Sequence, residues 1–158
     1  SDNYYEQGCS NRQELFRTSG ETRRSITNHH EMVERLKELY PNKVLNIVLE
    51  RSSIYFQYHL FNSAKVIIAQ HGASLANIFF MQNNPNGSII EIITPWGKLG
   101  NHFKNLAEFF SINYYCVEQQ NEHDDVNFHN ICEIVNRIFP HENVTQNHQE
   151  INQECNEE

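Results

Sequence analysis

The stretch 64–93 most constrains the fold, because it joins an apolar run, a small-residue turn, a second apolar run, a polar loop and a third apolar run. Residues 66–69 read as a buried strand, short, largely β-branched and uncharged. The strand enters a tight His71-Gly72 turn, after which Ser74 opens a short apolar helix. The first amides of such a helix have no carbonyl partner and point back toward the carboxyl end of the strand. Amides and helix dipole together favour an anion there, most commonly a phosphate group. A second strand, 88–93, carries Glu91 near its own carboxyl end, the edge at which ligands sit in open parallel sheets. These residues point to half of a binding site for a nucleotide or nucleotide sugar.

The alternation of strand-like and helix-like runs continues on both sides. Residues 14–18 form a weak first strand, followed by a polar loop with Arg23-Arg24. Thr27 or Asn28 caps a helix to about Leu39, with Met32, Val33, Leu36 and Leu39 at three-to-four spacing. Pro41-Asn42 stops it, 43–49 reads as a strand, and Ser52 or Ser53 opens a helix to about Asn62. Next come a strand over 65–69, a helix over 74–81, a loop over 82–87 and a strand over 88–93. Beyond a Pro95-Trp96-Gly97 turn lie a helix near 99–110, a strand over 112–117 and a helix over 126–139. Five strand-then-helix steps imply an α/β fold, a Rossmann-like parallel sheet with helices on both faces. Residues 1–140 make one domain. Residues 141–158 are nearly all polar and bury too little apolar surface to order themselves, so they read as a disordered tail.

At 158 residues the chain suits a single domain with a sizeable core. Twelve Lys and Arg against twenty Asp and Glu give a net charge of −8, which argues against a nucleic-acid-binding surface. An anionic ligand must therefore be held by a few placed groups. No run approaches the ~18 apolar residues of a membrane span, and the opening Ser-Asp-Asn-Tyr-Tyr does not read as a signal peptide. Cys9, Cys116, Cys132 and Cys155 form no Cys-x-x-Cys, against a zinc knuckle or redox pair; two disulfides and four thiols both fit the spacing. Nine histidines invite a metal reading. No His-Glu-x-x-His or Asp-x-Asp is present, and adjacent His29-His30 point apart on a helix, so no metal site is expected.

The ordered set Arg17, Arg23, Asn28, Gln57 and Ala64, then His71-Gly72-Ala73-Ser74-Leu75-Ala76-Asn77, Ile90-Glu91-Ile92 and Pro95, resembles the glycosyltransferase 61 family. The resemblance runs from Leu15 to Val117. The family includes eukaryotic O-linked N-acetylglucosamine transferases, plant xylan arabinosyl- and xylosyltransferases, and bacterial capsular-polysaccharide proteins. Ser74-Leu75-Ala76-Asn77 replaces the usual Gly-Leu-Thr-Asn, and Phe56 stands where an acidic residue often precedes Gln57. Family enzymes are larger two-lobed proteins of the GT-B type. The resemblance therefore implies that this chain is the carboxyl-terminal, donor-binding lobe, with an acceptor-binding lobe elsewhere.

What the resemblance implies is an inverting transfer of a sugar from a nucleotide diphosphate sugar to a glycan or protein hydroxyl, with no metal or other cofactor. Arg17 and Arg23 would hold the departing diphosphate, as planar guanidinium groups do well, while Arg24 stays on the surface. Gly72 and Ala73 allow a close backbone approach. Ser74 caps the helix and could touch phosphate, and Asn77 orients the loop or touches ligand. Glu91 would accept from ribose hydroxyls, or else form a strand-end salt bridge. Gln57 either belongs to the site or satisfies a buried carbonyl. His71 is the catalytic candidate, beside the leaving group, although the general base in two-lobed enzymes typically comes from the other lobe. The alternative is a noncatalytic nucleotide-sugar-binding module completed by a separate acceptor lobe. A flavodoxin-like or response-regulator domain shares the rhythm but explains neither the arginines nor the His71 turn. The compartment stays open: secretory pathway for a eukaryotic family member, cytoplasm for a bacterial or viral one.

Overall fold

The computed structural model describes residues 25–49, 52–95 and 100–140. In chain order the elements are β1 (Ser25–Ile26), α1 (His29–Leu39), α2 (Ile54–Ser63) and β2 (Val66–Gln70). A 3-10 helix (Ala73–Asn83) follows, then β3 (Ser88–Ile93), α3 (His102–Phe109), β4 (Asn113–Glu118), β5 (His123–Asp124) and α4 (Phe128–Ile138). The class is α/β, with every strand pair parallel.

The central sheet has the order β2-β3-β4. Both crossovers step in the same direction, and right-handed connections then put the 3-10 helix and α3 on one face. There Ile89 packs with Phe61, Leu75, Ile78, Met81 and Ala107. Ile90 and Ile92 enter the other half of the core, against Met32 and Leu36 of α1 and Ile131 and Val135 of α4. All six residues of β3 are buried, so Ser-Ile-Ile-Glu-Ile-Ile reads as a continuous run and not as an alternation. Burying each isoleucine contributes about 1.5–3 kcal/mol.

The segment after β2 is a 3-10 helix and not the α-helix expected over 74–81. Leu75, Ile78 and Met81 are fully buried at intervals of three, and a helix of three residues per turn sets them on one face. It also begins one residue early. Ala73 is the first helical residue and no side chain caps it, so the expected cap Ser74 is instead an exposed residue of the first turn. Ser53 does cap α2, accepting from the Phe56 amide at 3.2 Å. The last helix starts at Phe128 and not at Val126, because the Val126 amide donates to Asn28 Oδ1 at 3.0 Å.

Two further expectations change. Residues 43–49 join no ladder among the described residues, and Leu45 is 60% exposed. An apolar run becomes a strand only when a neighbour supplies partners for its backbone. Conversely, β1 and β5 form an unforeseen parallel pair. A glutamine bridge ties it to the main sheet: Gln70 Nε2 donates to Gln119 Oε1 at 2.6 Å, and Gln119 Nε2 donates to Ser25 O at 2.8 Å and Asp124 O at 2.6 Å. The described sheets thus hold three strands and two, not one run of five. The expected strand 14–18 and tail 141–158 lie outside the described residues. No described helix is long and apolar enough to cross a membrane.

Candidate functional site

His71 is the first residue past β2, and its amide donates to Ile92 O at 2.8 Å, extending the ladder one step. Glu91 lies on the neighbouring strand, opposite Ala69, and is only 2% exposed. Its Oε1 accepts from His71 Nδ1 and its Oε2 from the Tyr114 hydroxyl. Tyr114 pairs with Ile89 in the β3–β4 ladder, two positions from Glu91 and so on the same sheet face. A buried carboxylate is costly unless hydrogen-bonded, and here both oxygens have a donor. Burial first, then the Glu91 carboxylate, hold the Tyr114 pKa far above the usual phenol range, so its hydroxyl stays a proton donor. Phe103 meets the imidazole edge-to-face, centroids 5.1 Å apart. The ring is thus fixed by a ladder bond, a carboxylate and an aromatic wall, with Nδ1 as the donor to Glu91 and Nε2 as the second functional nitrogen.

An open cleft of about 370 Å³ lies against this cluster. His71, Tyr114 and Cys116 border it from the sheet, and Asn101, His102 and Lys104 from the start of α3. Among the described residues Lys104 pairs with Glu108 alone, a loose, exposed contact at 3.8 Å. Apart from the occupied Glu91, no acidic side chain among the described residues lines the cleft, so it suits a negatively charged or hydroxylated guest.

Gly72, Ala73 and Ser74 continue directly from His71, with Ala73 and Ser74 exposed. A side chain at Gly72 would meet only Gln70 O, at an ordinary 3.7 Å. The fold does not need glycine there, whereas a ligand approaching the backbone would. Asn77 turns away from the cleft: its Nδ2 donates to Gln57 Oε1 at 2.7 Å. Gln57 in turn donates to Ser52 O at 3.2 Å and Leu49 O at 3.4 Å. That pair ties α2 to the 3-10 helix and gives Gln57 its buried-carbonyl role. Glu91, expected to accept from ribose, has both oxygens engaged within the protein. Arg17 and Arg23 lie outside the described residues.

Sequence reasoning brought His71 and Glu91 to the same edge but missed Tyr114, Lys104 and the other cleft residues. Tyr114 and Cys116 alternate as Glu91's face requires, a signal usable only once the β3–β4 register is known. Among the described residues no three His, Cys, Asp or Glu side chains converge to hold a metal ion.

Fold and site define a parallel α/β protein with a polar cleft beside a carboxylate-held histidine at the carboxyl edge of its sheet. A sequence model of the family Glycosyltransferase 61 matches residues 6–89, just over half of the 158 residues, and the chain belongs to that family. The match includes Arg17, Arg23 and the segment His71-Gly72-Ala73-Ser74-Leu75-Ala76-Asn77, and ends before Glu91 and Tyr114. No curated protein and no solved structure matches the chain. Membership points to glycosyl transfer, which requires a sugar donor and an acceptor.

Proposed function

We propose that this chain is the donor-binding lobe of an inverting, GT-B-type glycosyltransferase that moves a sugar from a nucleotide diphosphate sugar to a hydroxyl. The observation that carries the reading is the grip of Glu91 on His71 at the edge where the 3-10 helix begins. The diphosphate lies over the Gly72, Ala73 and Ser74 amides, with Arg17 and Arg23 supplying charge from the segment before β1. Inversion requires the acceptor oxygen to attack the anomeric carbon from the face opposite the leaving group. His71 adjoins the diphosphate amides and so serves the leaving group, while the base stands on the acceptor side, in the other lobe. As the bond from anomeric carbon to diphosphate oxygen breaks, Nε2–H of a doubly protonated His71 donates to that oxygen and Glu91 balances the ring's charge through Nδ1–H. Glu91 and Tyr114 orient the ring and need not touch the ribose. Positive protein groups meet the diphosphate charge without a bound metal.

The test is titration of the purified chain with a panel of nucleoside diphosphates, repeated with Gly72→Ala and Arg23→Ala. The expected result is saturable binding of at least one of them, weakened in both variants while thermal stability is unchanged. Failure of every diphosphate to bind, or binding indifferent to both changes, overturns the reading. Binding with no transfer when a separate acceptor lobe is supplied assigns the chain instead to the noncatalytic, nucleotide-sugar-binding class.

A further inference from the structure

A second, larger cleft, of about 620 Å³, opens at the other end and on the other face of the central sheet. The first residues of β3 and β4, Ser88 and Asn113, are register partners, and both border it. Lys65, just before β2, and Arg137 in the last turn of α4 complete its polar wall. Tyr115 lines this cleft while its neighbours Tyr114 and Cys116 line the first, so strand alternation keeps the two apart.

The distribution of charge singles this place out. Of the six described lysines and arginines, Arg35, Lys37 and Lys104 each have a carboxylate on their own helix. Lys43, Lys65 and Arg137 form no ion pair among the described residues; Lys65 and Arg137 line this cleft, and Lys43 shares the Phe139 ring with Lys65. The ammonium groups of Lys43 and Lys65 stand 4.4 and 4.5 Å from the centroid of the Phe139 ring, two residues past Arg137. Among the described residues no acidic side chain lines the cleft. In a chain of net charge −8, such a concentration of unpaired cations attracts an anion. Ser88 adds an independent observation. It is 1% exposed, and its Oγ has no hydrogen-bond partner, which is rare for a buried hydroxyl. Apart from Ile138 the remaining wall is amide and hydroxyl, and the volume falls in the range of small-molecule sites, roughly 300–1,000 Å³, more than a bare phosphate needs.

We propose that this cleft binds a phosphorylated monosaccharide, with Lys65 and Arg137 holding the phosphate monoester and Asn84, Asn113, Tyr115 and Ser88 meeting the sugar hydroxyls. It lies across the sheet from His71 and takes no part in the transfer step. Its ligand is an anchor or effector, and the site stands whether or not the donor reading holds.

Calorimetric titration of the whole chain with glucose 6-phosphate, glucose and inorganic phosphate tests this. Glucose 6-phosphate is expected to bind saturably, glucose not to bind, and inorganic phosphate to bind more weakly than the sugar phosphate. Lys65→Ala and Arg137→Ala, both at exposed positions, are each expected to weaken binding about tenfold or more, the scale of one charge-assisted hydrogen bond, with melting temperature unchanged. His71→Ala is expected to leave that binding as it is. Absence of saturable binding, or binding unaltered in both cation variants, overturns the proposal. Loss of binding in His71→Ala overturns it too, by placing the anion in the other cleft, and equal affinity for inorganic phosphate overturns the sugar assignment.

Discussion

Tyr114 and His71 share one carboxylate: the phenol donates to Oε2 of Glu91 and the imidazole to Oε1. Neither donor can be replaced from solvent, because Glu91 is 2% exposed. Three residues from three strands and their ends therefore act as one unit, and their substitutions should not add. If the chain works with an acceptor lobe as proposed, His71→Ala in the assembled enzyme is expected to lower kcat by about 10²–10⁴-fold, the usual worth of a proton-transferring side chain. Glu91→Gln should lower it less, because an amide still fits but offers a donor where an acceptor is needed. The double variant should be no slower than His71→Ala alone. Steady-state kinetics on all three decide the matter; effects that multiply would separate Glu91 from His71.

Tyr114 supplies a pH signature. The fold raises its phenol pKa above the ordinary value near 10, through burial first and the Glu91 carboxylate second. The folded state therefore holds this proton more tightly than the unfolded chain. The resulting stabilisation is complete below about pH 10 and is lost as pH rises from there toward the folded value. Urea unfolding across the alkaline range should show wild-type stability falling above about pH 10 and Tyr114→Phe falling less steeply. At neutral pH the variant should be less stable by about 1–3 kcal/mol, the cost of leaving a buried Glu91 oxygen unpaired. Parallel alkaline slopes would show that Tyr114 is not the responsible group.

Asn77 and Gly72 separate support from contact within one motif. Asn77 is bonded to Gln57, so Asn77→Ala should cost about 0.5–1.5 kcal/mol of stability and leave nucleoside diphosphate affinity nearly unchanged. Gly72→Ala should do the reverse. Its new methyl meets only Gln70 O at 3.7 Å, so stability should stay within about 0.5 kcal/mol while affinity falls. Chemical denaturation and ligand titration on both proteins give the comparison, and a destabilised Gly72→Ala protein would remove glycine's link to the ligand.

What the sequence made legible follows from where each signal was local. The buried run of β3 and the turn at His71-Gly72 could be read directly. Leu75, Ile78 and Met81 also announced a repeat of three, but an apolar segment of this length reads first as an α-helix unless that spacing is given weight. The run 43–49 has strand composition and no ladder among the described residues, and composition cannot report a missing neighbour. The site was half visible for the same reason. His71 and Glu91 stand at ends of adjacent strands, whereas Tyr114 joins them only through the β3–β4 register and Lys104 only through the placement of α3.

Gln119 carries a structural role that no pattern in the sequence announces. It is 1% exposed, accepts from Gln70 and donates to Ser25 O and Asp124 O. It closes the gap between the central sheet and the β1–β5 pair together with Gln70, whose Nε2 also reaches Ser25 O at 3.2 Å and Glu122 O at 3.4 Å. Gln119→Ala removes one of two donors from each carbonyl, since Ser25 O keeps Gln70 Nε2 at 3.2 Å and Asp124 O keeps the Thr27 amide, and should cost about 0.5–1.5 kcal/mol for each hydrogen bond lost. The loss should be local before it is global, because β1 and β5 have only two residues each. The Ser25 amide, which donates to Glu122 O at 2.7 Å, and the Thr27 amide, which donates to Asp124 O at 3.1 Å, should lose hydrogen-exchange protection. Amides of β3 should keep theirs, since Ile89, Ile90 and Ile92 remain packed between the two helical layers. Equal loss of protection in β1 and β3 would show that Gln119 supports the whole fold, and unchanged protection in β1 would show that the pair is held by something other than the glutamine bridge.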